Sequence, residues 1–168
     1  MKLSMYEASV PVFIRQLNNL ALILEKTAAH ADSHKFDAAV LVGARLYPDM
    51  LPLSKQVQIA SDHAKGAAAR LAGLEPPKFD DTESSIAELV ARIRKTTTFL
   101  ETFGPAQIDG SDERPVNVTI RNNTLHFTGA EYLVRYALPN FYFHVTTAYA
   151  ILRHNGVEIG KKDFLGPV

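Results

Sequence analysis

Cysteine is absent from the 168 residues. That excludes disulfides, thiolate nucleophiles, cysteine-held zinc and iron–sulfur clusters. It also removes the usual staple of small secreted domains, so the composition predicts a cytoplasmic protein. Net charge is absent too: 18 basic residues balance 18 acidic ones. No global field draws the chain to nucleic acid or to an anionic membrane, and neither is expected as a partner. No apolar run is long enough to span a bilayer. Met1-Lys2-Leu3-Ser4 leads into a segment carrying Glu7 and Arg15, which predicts no cleaved leader. There is no glycine-rich phosphate loop, no Gly-x-Ser-x-Gly elbow and no His-Glu-x-x-His motif. No serine stands in an arrangement suited to nucleophilic catalysis, and the acidic residues fall in loops and on exposed faces.

What is present is helical periodicity. Hydrophobic residues make up 46% of the chain, enough for one domain over residues 1–168. Ser4 and Glu7 have capping-box spacing. Phe13, Leu17, Leu20, Ile23 and Leu24 then form one apolar stripe, predicting a first helix over 5–29. His30 to Lys35 is polar and predicts a loop, and 37–46 a short helix. A second long helix is expected over 52–72. Its stripe of Val57, Ala60, Ala64, Ala67, Ala68 and Leu71 is small enough for a neighbouring helix to approach closely, and Gly73 closes it. "GLEPPKFDD" is a connector. Ser85 and Glu88 open a third helix over 84–103, which Gly104-Pro105 stops.

From Val116 the period becomes two. Val116, Val118 and Ile120 alternate with polar residues, and Leu125 and Phe127 follow Asn122-Asn123. This predicts a β-hairpin turning at 122–123 and packed on helices. Helical periodicity returns from about residue 129 to His154, with a kink or break near Leu138 imposed by Pro139. The tail 157–168 is expected to fold back on the bundle or on a second subunit. The fold class predicted is mainly α: an up-down-up-down four-helix bundle with a small β-hairpin before the last helix.

The chemistry-bearing residues lie on the last helix. Tyr136, Asn140, His144 and Thr147 step by four, four and three and share one face. His144 is either a metal ligand or a hydrogen-bonded core residue, and the wheel alone leaves both open. On the second helix Gln56 and His63 are seven residues apart and fall on nearly the same side; Asp62 points toward solvent. His30, His34, His126 and His154 are expected at the surface, and Arg153 is a helix-end dipole partner.

"QVQIASDHAKGAAARLAG" (56–73), "LPNFYFHVTTAYAILRHNG" (138–156) and the tail "GKKDFLG" (160–166) carry a family likeness. The chain resembles the DinB/YfiT-like superfamily of four-helix bundles, read as metalloenzymes, and within it a bacterial branch of unknown function. The likeness covers essentially the whole chain. It implies a divalent metal, Zn or Ni, held by three histidines, one from the second helix and two from a His-x-x-x-His on the last. The positions matching that pattern here are His63, Asn140 and His144, with asparagine in one histidine's place. The resemblance also implies small-molecule transferase or isomerase chemistry and a homodimer. The expectation is therefore a small-molecule-transforming enzyme whose metal site is degenerate or absent. His144 is the catalytic candidate, with Tyr136, Asn140, Thr147 and Gln56 against the ligand. The alternative is a non-catalytic binding or interaction module on the same bundle.

Overall fold

The computed structural model describes residues 3–167; Met1, Lys2 and Val168, the ends of the expected 1–168 domain, lie outside them. The chain forms α1 (Val10–His34), α2 (Ala39–Val42), α3 (Leu53–Leu71), α4 (Ile86–Leu100), α5 (Pro105–Ile108), β1 (Pro115–Ile120), β2 (Asn123–Thr128), α6 (Gly129–Glu131), a π-helical segment over Tyr132–Ala137, α7 (Leu138–His154) and α8 (Lys161–Leu165). It is mainly helical, with a small antiparallel hairpin before the last long helix.

The apolar stripes become the core. Phe13, Leu17, Leu20, Ile23 and Leu24 of α1 are fully buried, as are Val57, Ala60, Ala64, Ala67, Ala68 and Leu71 of α3. Each large side chain so buried contributes about 1.5–3 kcal/mol. α1 packs chiefly on α4, and α3 packs on both α7 and α4. The alanines of α3 let α7 lie close against it. The two run antiparallel, so that Gln56 faces His144 near one end and Arg70 faces Tyr132 near the other.

Helix ends follow their local chemistry, with three departures from expectation. Ser4 and Glu7 do exchange hydrogen bonds, each at 3.2 Å, but they close an isolated turn, and the regular helix starts at Val10. The expected loop at 30–35 is helix as far as His34. Thr27 and Ala31 are buried against the core, and Lys35 ends the helix in the left-handed region at φ 58°. His30 and His34 consequently sit one turn apart, with ring centroids at 4.1 Å. The hairpin turns one residue early: Ile120 pairs with Asn123, leaving Arg121-Asn122 as the loop, with Arg121 at φ 54°. This register sets Val116 opposite Phe127 and Val118 opposite Leu125, on the side that meets the helices.

Pro139 does not break the last helix. A π-helical segment directly precedes it, and the wider turn there accommodates Pro139, which has no N–H for the preceding turn, while the chain stays helical throughout. Four-residue steps on an α-helix drift by about 40° each; the wider π turn takes up part of that drift and keeps Tyr132 and Tyr136 on the side facing α3. The tail folds back on its own bundle. The Phe164 carbonyl accepts from Gln16 at 3.0 Å and Asn19 at 3.1 Å, and the Phe164 ring meets Tyr149 edge-on. Among the described residues, no helix is long and apolar enough to cross a membrane.

Candidate functional site

The groove between α3 and the last helix brings together most of the residues singled out above. His144 Nδ1 lies 2.7 Å from Gln56 Oε1. The amide of Gln56 is itself oriented, because its Nε2 donates to the Leu51 carbonyl at 3.0 Å. An amide oxygen only accepts, so His144 must donate through Nδ1–H. That fixes the tautomer and leaves Nε2 as a bare nitrogen lone pair.

His63 stands beside it. The two imidazole planes are within 15° of parallel, with centroids 5.9 Å apart. Tyr136 meets His63 at 5.6 Å, and Phe127 of β2 packs on both Tyr132 and Tyr136. The hairpin is thus the wall of the groove. Burial, reinforced by the neighbouring His144, pushes the His63 pKa down from 6.5 to about 4, with Asp62 opposing and Arg70 and Lys65 adding to the fall. Burial likewise lowers that of His144. Both rings are therefore neutral at pH 7.

A linkage prediction follows from these two shifts. The unfolded chain takes up protons near pH 6.5 that the folded His63 refuses until about pH 4. The contribution of these two histidines to stability is fully present above pH 6.5 and is lost as pH drops through that window. In urea titrations, His63→Leu is expected to remove most of this slope and leave the smaller part due to His144; an unchanged slope would contradict the assignment.

Two of the candidate ligand-binding side chains are engaged elsewhere. Asn140 donates through Nδ2 to the Tyr136 carbonyl of its own helix at 2.7 Å. Thr147 is buried, and its hydroxyl donates to the Phe143 carbonyl, also at 2.7 Å. Thr147 borders a different feature, an apolar recess of about 480 Å³ lined also by Leu46, Met50 and Phe143. Of the remaining histidines, His126 is exposed on the hairpin and bonds Asn117 at 2.7 Å, and His154 is exposed at the end of α7.

The donor set bears on a metal. A catalytic zinc-type site uses three protein ligands plus an open position. Here His63 and His144 supply two nitrogens. Asn140 donates its Nδ2 to its own backbone and offers only a neutral amide oxygen, a weak ligand, and the Gln56 oxygen accepts from His144. Among the described residues, no three His, Cys, Asp or Glu side chains stand where they could hold a metal ion. The residues present do not fit a three-histidine centre.

Asp62, expected to face solvent, keeps much of its side chain in water and also pairs with Arg92 at 3.0 Å and Lys65 at 2.6 Å. Arg92 is buried beneath the 72–85 connector, where it also holds Asp81 and Glu83, each at 3.0 Å. Phe79 of that connector lies under Lys65 and Lys95. Nothing in the periodicity pointed to this network; its partners meet only in three dimensions.

Comparison with known proteins places the chain. A family model described as "Domain of unknown function (DUF1993)" matches residues 5–165. A crystal structure of a DinB family member protein from Shewanella denitrificans is 44% identical, covers 97% of this chain and 92% of that one, and superposes with a TM-score of 0.89. No curated protein matches.

Proposed function

We propose, for a chain that belongs to the DUF1993 family of DinB-like proteins, that the α3–α7 groove binds a small molecule and that His144 is its proton acceptor or hydrogen-bond acceptor. The observation carrying this reading is the Gln56–His144 bond at 2.7 Å, with Gln56 oriented by Leu51. A core histidine also satisfies its ring by such a bond, and the same arrangement meets the needs of a base: a fixed tautomer, a neutral ring and a free lone pair. Gln56 acts as a positioning residue through His144. His63 adds a second neutral nitrogen, and Tyr136 and Phe127 an aromatic wall for a planar or apolar part of the ligand. Asn140 and Thr147 each give one hydrogen bond to their own helix in this reading, and Asn140 keeps its Oδ1 as a free acceptor among the described residues.

The reading assigns the chemistry to nitrogen bases and routes no step through a metal. Two imidazoles alone would hold a divalent ion weakly. Protein purified without chelator is expected to contain far less than one equivalent of zinc or nickel.

The test is a fragment screen read by ¹H–¹⁵N spectra. Fragments that shift Gln56, His63, Tyr136 and His144 together are expected. Their affinity should fall about tenfold, roughly 1.4 kcal/mol, in His144→Gln, which keeps polarity and loses the basic nitrogen. Gln56→Leu should weaken them less and shift the pH dependence of binding. Hits that bind His144→Gln as they bind the wild type would remove His144 from the site.

A further inference from the structure

Gln56, His63 and Arg70 recur every seven residues on α3 and so lie along one face of the groove. Across from them run His144, Tyr136 and Tyr132. The function proposed above uses the Gln56–His63 half. The Arg70 half has features of its own.

Arg70 is half-buried, and no carboxylate pairs with it among the described residues. Its Nη1 donates to the Tyr132 hydroxyl at 3.2 Å, and its guanidinium sits over the Tyr132 ring at 5.9 Å. An arginine in the last turn of a helix ordinarily serves the helix end, but here that role is filled. Arg114 donates to the Leu71 carbonyl, and the carbonyls of Ala68, Ala69 and Arg70 accept from Ala72, Leu74 and Gly73. Arg70 instead folds back over Gly66, where an added Cβ would stand 2.5 Å from its Nη1. A glycine inside a helix costs about 1 kcal/mol relative to alanine, and its effect at this position is to leave room for the guanidinium. The side chain borders a polar recess of about 530 Å³ with Asn117 and Thr119 of β1. A half-buried guanidinium, fixed by a tyrosine, open to a polar recess and paired with no carboxylate among the described residues, is a ready oxyanion receptor.

We propose that Arg70 anchors an oxyanion, carboxylate or phosphate, of a small molecule that enters the recess beside β1. The site is separate from the His63–His144 pair, because the packed rings of Tyr132, Tyr136 and Phe127 stand between them. The ligand class is a small carboxylate or phosphate. Glu75 also lines the recess and opposes an anion there.

The experiment titrates the full chain with inorganic phosphate and, separately, with succinate, following the Arg70 Nε–Hε and Asn117 side-chain signals. Saturable binding of one of them is expected, and which one binds distinguishes phosphate from carboxylate ligands. Arg70→Gln should weaken it at least tenfold, and Glu75→Gln should strengthen it. Gly66→Ala keeps every charge but displaces the guanidinium, and should also weaken binding; it decides the matter if Arg70→Gln fails to fold. Arg135→Gln, at an exposed arginine paired only with Glu131, should bind as the wild type. No saturable binding of either anion, or wild-type affinity in Arg70→Gln or Gly66→Ala, overturns the anchor. Such a failure leaves the His144 tautomer untouched, and a wrong tautomer at His144 leaves the phosphate and succinate result standing.

Discussion

Arg92→Ala is expected to cost at least about 3 kcal/mol of folding stability. The guanidinium is buried and its Nη1 and Nη2 groups donate to Asp62, Asp81, Glu83 and the Asp80 carbonyl, all at 3.0 Å, while its Nε–H stays unpaired among the described residues. Three carboxylates from α3 and the connector converge on one cation. Removing it leaves them facing one another, and the connector loses its tie to α4. Asp62 and Asp81 keep some water, which holds the cost near the lower end of the range for breaking buried pairs. Arg92→Lys should recover less than half, since an ammonium cannot reproduce the planar fork that serves several acceptors at once. Urea unfolding at constant m-value measures both. A loss below about 1 kcal/mol in Arg92→Ala would mean that the network behaves like an exposed pair.

Gly129→Ala is expected to destabilise the protein by about 3 kcal/mol, the upper end for forcing extra volume into a packed site. Propensity alone predicts the opposite sign, because alanine is the better helix former. Sterics decide. A Cβ on Gly129 would stand 1.9 Å from the Ser111 carbonyl oxygen and 2.9 Å from its carbon. Both atoms are backbone, in the turn that receives Arg114 N–H and whose next carbonyl, Asp112, receives Ala130 N–H. Neither side can give without lifting the start of the last helix off that turn, and with it the hairpin that walls the groove. Gly104→Ala, with nothing within 4 Å of its added Cβ, is the control and should be close to neutral. Equal melting temperatures for the two variants would contradict this account.

The long helices were legible because their causes are local. The stripes of α1 and α3 and the Ser85–Glu88 capping box need only neighbours three or four residues away, and they stand where the sequence puts them. The resemblance to DinB-like bundles rested on α3, the last helix and the tail, and agrees with the family found. Errors came where tertiary contact overrides local polarity. The last turn of α1 looks like a loop because His30, Asp32, Ser33 and His34 are polar, yet Thr27 and Ala31 tie its inner face to the core. Lys35 supplies the left-handed cap for which no glycine advertises. Pro139 announced a disturbance, but not that a π segment would absorb it.

The site was half legible. Spacing brought out His144, Tyr136, His63 and Gln56 as separate candidates. It could not show that Gln56 and His144, 88 residues apart, bind each other, nor that Asn140 and Thr147 bond back to their own helix. Arg70 went unnoticed although the seven-residue spacing of Gln56 and His63 continues to it. Arg92 carried no signal at all, since a charged residue on an amphipathic helix reads as solvated until its acids are seen around it.

The central claim is that Gln56 fixes His144 as a neutral imidazole protonated on Nδ1, with Nε2 bare. A long-range ¹H–¹⁵N correlation spectrum at pH 7, with His144 assigned by comparison with His144→Gln, measures this directly. The structure predicts a protonated Nδ1 and an unprotonated Nε2, with Gln56→Leu releasing the ring to a mixture of tautomers. An imidazolium at pH 7, or a ring protonated on Nε2 alone, would contradict it.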